Sequence, residues 1–274
     1  MTTIFGIHYD ENNAFHRAVT TMLLIVASLT IFLVVWWDIS LIVDMASVPS
    51  PGRTLDALVD LVNNGDQMTK KTLWNYIGAS MSTFLKGFLL ALALAVPVGL
   101  LLGYSKFLRD ISNPIIEILR PIAPIAWAPI LIMMPGLGYT KGPIIVVFIG
   151  IFFPLLTNII FGVKKIEPNW IDAAKTLGSS QTQIFYKVMM PAAIPYLMNG
   201  VKVGLGVGWM CIVAAELYAS PLGGIGFYLA EQSTAGYWPG AFAALVVIAI
   251  LGLLTIGVAD YVHRVLSKRM GMDV

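Results

Sequence analysis

Six apolar stretches, each of about twenty residues, constrain this chain more than any other feature, because roughly 20 apolar residues let an α-helix cross the hydrocarbon of a bilayer. They run at about 19–37, 78–104, 114–134, 143–163, 192–219 and 241–262. The expected fold class is all-α integral membrane, with about six transmembrane helices. Composition agrees: 58% of residues are apolar and 12% charged, whereas about a quarter are charged in a soluble domain. Mean hydropathy is +0.82.

The segments between the spans divide the chain. Residues 1–18 are mostly polar and suit a short surface helix, and 38–77 form a connection with Pro49, Pro51 and an Asn63-Asn64-Gly65 turn. Within it, Thr54 to Val62 reads as a small amphipathic helix. A basic turn is expected at 105–113, a Pro/Gly-rich loop at 220–240 and a basic tail at 263–274. The core membrane domain is 78–262. The third span holds Pro121, Pro124 and Pro129, so it is kinked or broken. The first apolar run follows some eighteen polar residues and ends in Trp36-Trp37 rather than a small-residue cleavage site, so it is expected to stay as an anchor.

Lys and Arg counts on the two sides predict orientation. With the N-terminus inside, the inner segments carry Arg17, Lys106, Arg109, Lys164, Lys165, Lys175, Lys187, Arg264, Lys268 and Arg269, ten in all, against Arg53, Lys70, Lys71 and Lys141, four, outside. Both termini are therefore expected in the cytoplasm. The net charge of +2 gives no sign of a nucleic-acid partner. Cys211, the single cysteine, lies in an apolar run, which leaves no intrachain disulfide or metal cluster and reads as a core hydrophobe.

Ionisable residues in the spans are few, and each needs a partner or a watery cavity. At about 100° per residue, Lys202, Trp209 and Glu216 share one stripe of the fifth span, while Gly200, Gly204 and Gly208 form a small-residue seam on roughly the opposite side. Snorkelling of Lys202 and end-capping by Glu216 compete with a pathway role. Arg120 and Trp127, seven apart, are expected to share a face of the third span. Arg120 offers planar donors suited to an oxyanion; the alternatives are a pair with Glu117 or an anchor at the inner surface. Lys86 reads as interfacial.

The longest polar interval of the second half, Lys164 to Pro191, reads as a short helix of its own. Glu167, Pro168 and Asn169 start it, and Gly178, Ser179 and Ser180 stop it. Asp172-Ala173-Ala174, three residues, Gly178, nine residues, then Val188, Met190 and Pro191 resemble the cytoplasmic signature loop of ATP-binding-cassette (ABC) importer permeases. Asp172 stands where that family usually has Glu. The segment Arg120 to Pro129, and Gly204 to Trp209 with Val213-Ala214-Ala215-Glu216, look like the permeases for nitrate, bicarbonate, sulfonate and taurine. The resemblance covers roughly residues 70–265.

It implies a type I ABC importer permease fold in the cell (inner or plasma) membrane. This chain would act as a homodimer with two ATPase subunits and an extracytoplasmic substrate-binding protein. Asp172, Ala173, Ala174, Gly178 and Pro191 would couple to the ATPase, and Arg120, Trp127, Lys202, Trp209 and Glu216 would line the substrate path. The chain has no G-x-x-x-x-G-K-[ST] loop, so ATP and magnesium would belong to the partner, and no catalytic residue, cofactor or metal is expected here. The cargo would be a small oxyanion. Rival readings are an ion-coupled transporter using Lys202 and Glu216, and a permease for a neutral heterocyclic vitamin precursor. An intramembrane enzyme has no H-E-x-x-H or G-x-S-x-G motif to support it.

Overall fold

A computed structural model describes residues 3–4, 7–8, 14–43, 48–218 and 223–269. Half of residues 1–18, where a surface helix is expected, lies outside these. Within that segment Thr3–Ile4 (β1) and Ile7–His8 (β2) pair antiparallel, and the first helix, α1 (Ala14–Ile42), begins at Ala14. The remaining regular structure of the described residues is helical. Five helices are long and apolar enough to cross a membrane, and a bent pair, taken as one span, makes a sixth.

The centre is α6 (Gly138–Lys164), which packs along both α3 (Leu73–Tyr104) and α9 (Met190–Glu216). Two rows of glycine make this possible, since helices without a hydrophobic drive between them associate by close approach at small residues. On α3, a Cβ at Gly87 would come within 2.7 Å of Val147 Cβ and 2.8 Å of the Ile144 carbonyl, and one at Gly99 within 2.8 Å of Ile159. On α9, Gly200 faces Leu155 and Asn158, and Gly204 and Gly208 face Ile151. Val146, Val147, Ile151, Leu155 and Ile159 of α6 are accordingly sealed from solvent.

The outer elements close this core. In α2 (Pro51–Asn63), Ser50 is the N-cap, Pro51 sits in the first turn, and buried Thr54, Ala57 and Leu61 make one face, packed on α11 (Trp238–Arg269). The small amphipathic helix expected in the connection is thus present, with wider bounds. By contrast, no residue in the most apolar window of α1 is buried. Trp36 ties that helix down by donating from Nε1 to the Pro49 carbonyl at 3.1 Å and stacking on Phe242 of α11.

Three expectations need correction. The second span starts at Leu73 rather than Gly78, because Asn75 Oδ1 accepts from the Thr72 N–H and hydroxyl and closes a helix start there. Residues 105–113 are not a turn but open α4 (Lys106–Leu119), for which Ser105 accepts from the Leu108 N–H at 3.3 Å. The 220–240 loop contains α10 (Ile225–Thr234), packed on α11 and α9. The third span is broken, as its prolines require: α4 meets a 3-10 turn, Pro124–Trp127, and α5 (Ala128–Met133) at a 77° bend.

Candidate functional site

The polar interval folds as α7 (Pro168–Thr176), with Glu167 at its N-cap position and Pro168 in its first turn. Gly178 ends it at φ +77°, a left-handed conformation that glycine takes without penalty. Its N–H reaches the Lys175 carbonyl at 2.9 Å, and the Ser179 N–H reaches Ala174 at 3.0 Å, which satisfies carbonyls the helix end would leave bare. A second start follows at once: Ser180 Oγ accepts from the Gln183 N–H while Gln183 Oε1 accepts from the Ser180 N–H, opening α8 (Gln181–Ile184). One π-helical turn, Phe185–Met189, joins α8 to α9. Pro191 therefore lies in the first turn of a membrane helix, apart from α7.

Two apolar faces run along α7. Ile171 and Ala174 pack inward against the core. Trp170, Ala173 and Leu177, spaced by three and four residues, face outward; Trp170 is 56% and Leu177 85% exposed. Asp172 is exposed and pairs with Lys175 at 3.1 Å, and nothing lies within 4 Å of a Cβ built on Gly178. Tyr104, at the end of α3, donates to Gln181 Oε1 at 2.9 Å and so fastens the loop to the bundle.

Lys202, Trp209 and Glu216 each have a different partner. Lys202 forms an ion pair with Asp260 of α11. Trp209, 5% exposed, donates from Nε1 to Thr255 Oγ1 at 2.8 Å and stacks on Phe84 at 4.8 Å. Glu216, 4% exposed, accepts from the Ser80 hydroxyl at 2.8 and 2.9 Å and from the Gly226 N–H at 2.9 Å, and Ser80 Oγ in turn accepts from the Ile225 N–H. Lys202 and Glu216 are about 21 Å apart along the helix axis, with the indole between them. The common face expected for Arg120 and Trp127 is removed by the bend, because Arg120 ends α4 and Trp127 ends the 3-10 turn beyond it. Arg120 makes no ion pair with Glu117; it is exposed and is one of the residues lining a cavity between the break, α6 and α9.

Several polar residues escaped sequence reasoning. Ser80, Thr255, Asp260, Asn158 and Asn199 lie inside apolar runs, and their partners sit tens of residues away, so no local spacing marks them. A further network lies on the outer side by the expected orientation. Asp66 accepts from the Thr69 hydroxyl at 2.5 Å, Tyr76 at 2.9 Å, the Thr69 N–H at 3.1 Å and Gln232 at 3.4 Å. It adjoins a cavity of about 350 Å³ lined also by Asp60, Tyr228 and Tyr237. Burial pushes the Asp66 carboxyl up, but hydrogen bonds from Thr69 and Tyr76 outweigh it and hold the group below its ordinary range. Burial and the nearby Asp66 charge push Glu231 up. Among the described residues no group of His, Cys, Asp and Glu could hold a metal ion.

Comparison with known proteins places these features in a wider set. The profile of a family described as the binding-protein-dependent transport system inner membrane component matches residues 87–272. A putative ABC transporter permease protein of Methanocaldococcus jannaschii is 39% identical over 64% of this chain and 65% of its own length, so the match spans just under two thirds of that relative. The taurine transport system permease protein of Escherichia coli is 32% identical over 89% of this chain and 87% of its own. The nitrate import permease protein of Synechocystis is 32% identical over 81% of each. In fold, the chain is similar to a subunit of the MetNI methionine ABC transporter in an inward-facing form, with a TM-score of 0.60 at 20% identity, over 71% of this chain and 95% of that one.

Proposed function

This chain belongs to the family of inner membrane components of binding-protein-dependent transport systems, and we propose that it carries a small oxyanion of the nitrate, sulfonate or bicarbonate class into the cytoplasm. In this reading two copies form the membrane path by alternating access, two ATPase subunits supply the energy from below, and a binding protein delivers cargo from the outer side. Both termini and α7 face the cytoplasm. The domain plan is an N-terminal segment, an anchor span with its connection, a core that begins with the second span at Leu73 and runs to 262, and a basic tail. The relatives' cargoes, taurine and nitrate, share a small, delocalised oxyanion head.

The observation that carries the reading is the bare apolar stripe Trp170, Ala173 and Leu177 on a helix whose opposite face is already packed. A contiguous exposed apolar stripe is a docking surface for another protein. Asp172 and Ala174 flank it, and Gly178 gives a partner backbone close approach. An ion relay along Lys202 and Glu216 gains no support, since each is engaged by a different neighbour.

ATP hydrolysis by the purified complex, compared between wild type and Gly178→Asp, tests the proposal. The wild type is expected to respond to a loaded binding protein and the variant to lose that response at least tenfold. Equal stimulation of both would remove α7 from coupling. A wild-type chain with which no ATPase co-purifies would overturn the reading.

A further inference from the structure

The cavity beside the broken span has a volume of about 270 Å³ and is walled by Arg120 and Pro124 at the break, Phe153, Thr157 and Asn158 of α6, and Val207 of α9. It falls below the roughly 300–1,000 Å³ that suits a drug-sized ligand, so its occupant has few heavy atoms. Its polar wall is fixed by hydrogen bonds. Thr157 Oγ1 donates back to the Phe153 and Pro154 carbonyls at 2.9 and 3.1 Å, Asn158 Nδ2 donates to the Pro154 carbonyl at 2.8 Å, and Asn158 Oδ1 accepts from Asn199 Nδ2 at 2.9 Å. An amide carries two N–H donors, so one of those on Asn158 is uncommitted.

Among the described residues the Arg120 guanidinium has no hydrogen-bonding or acidic partner. Arg120 is exposed on the wall of this cavity at the break in the span, and an ionisable residue at membrane depth faces a partner or a watery cavity. A guanidinium presents planar paired donors that match an oxyanion. We propose that this cavity is a binding site for the transported ion within the membrane domain, and that it takes a small oxyanion of single negative charge. Arg120 is its counter-ion and Asn158 its second donor. One free cation balances one charge, so a dianion would enter with a negative charge uncompensated. This inference rests on the importer reading above and narrows its cargo.

Calorimetry on the whole transporter in lipid nanodiscs, without binding protein, tests the site with nitrate, bicarbonate and sulfate as probes. At least one of the first two is expected to bind saturably, and sulfate at least tenfold more weakly. Arg120→Gln should weaken that binding at least tenfold, Arg120→Lys less, and Asn158→Asp, which sets a like charge against the anion, should also weaken it. Wild-type affinity in Arg120→Gln, equal binding of sulfate, or no binding of any monoanion would overturn the proposal. If Arg120→Gln does not assemble, the Arg120→Lys and Asn158→Asp variants decide it by the same measure. ATP-driven uptake in vesicles separates the two readings. Binding through Arg120 without uptake supports the site and removes the importer, whereas uptake unchanged in Arg120→Gln removes the site and keeps the importer.

Discussion

The Ser80 hydroxyl lies 2.8 and 2.9 Å from the two carboxylate oxygens of Glu216, joining α3 to the end of α9 across 136 residues of sequence. The same hydroxyl oxygen accepts from the Ile225 N–H and the same carboxylate from the Gly226 N–H, so one pair holds the start of α10 as well. Ser80→Ala removes a donor from a buried carboxyl, at a cost of roughly 1–3 kcal/mol. Its melting temperature in detergent should fall measurably, and an unchanged value would mean that the pair contributes nothing.

Glycine substitutions should divide by what faces them. Gly87→Ala drives a methyl against Val147 and the Ile144 carbonyl, neither of which is a flexible chain end, and should cost about 1–3 kcal/mol. Gly206 has nothing within 4 Å of its built Cβ, and an alanine there should be neutral or gain up to roughly 1 kcal/mol from helix propensity. Comparing the two melting curves checks this, and equal losses would contradict the packing.

Lys202 and Asp260 should behave as a pair. Their side chains are 31% and 38% exposed, so solvent screening keeps their coupling modest. Lys202→Met alone should destabilise more than Lys202→Met combined with Asp260→Asn. A double-mutant cycle of melting measurements gives the coupling, and strict additivity would show the pair to be idle.

The outer network should respond to acid. Asp66 has a lowered native pKa, so its stabilisation is fully present above its ordinary unfolded value of about 3.9. That stabilisation disappears as pH falls through the native value. Asp66→Asn should lower stability at neutral pH and flatten this acid response. Glu231 is shifted the other way, and its Oε2 is buried without a hydrogen-bond partner. Its ionisation therefore works against the fold at neutral pH, and Glu231→Gln should be more stable there. Unfolding measured from pH 3 to 8 reads both signs.

The spans, the break and α7 were legible because each has a local cause. Apolar length gives the spans, Pro121 and Pro124 the break, and Pro168 with Gly178 the ends of α7. The glycine seam of α9 followed from helical spacing, and it packs on α6. What stayed hidden depends on distant partners: Ser80 gains its meaning only from Glu216, and Asn158 from Asn199. Helix α10 was missed because its glycine-rich entry hides a short helix of ten residues, apolar in its first half and polar in its second. The shared face of Arg120 and Trp127 failed because a periodicity argument does not carry across a bend.

The π turn at Phe185–Met189 has a geometric consequence. It threads one residue more through a turn than an α-helix needs, and an α-helix advances about 100° and 1.5 Å per residue. The joint between α7 and its membrane helix therefore holds one residue more than a continuous α-helix of the same height would need.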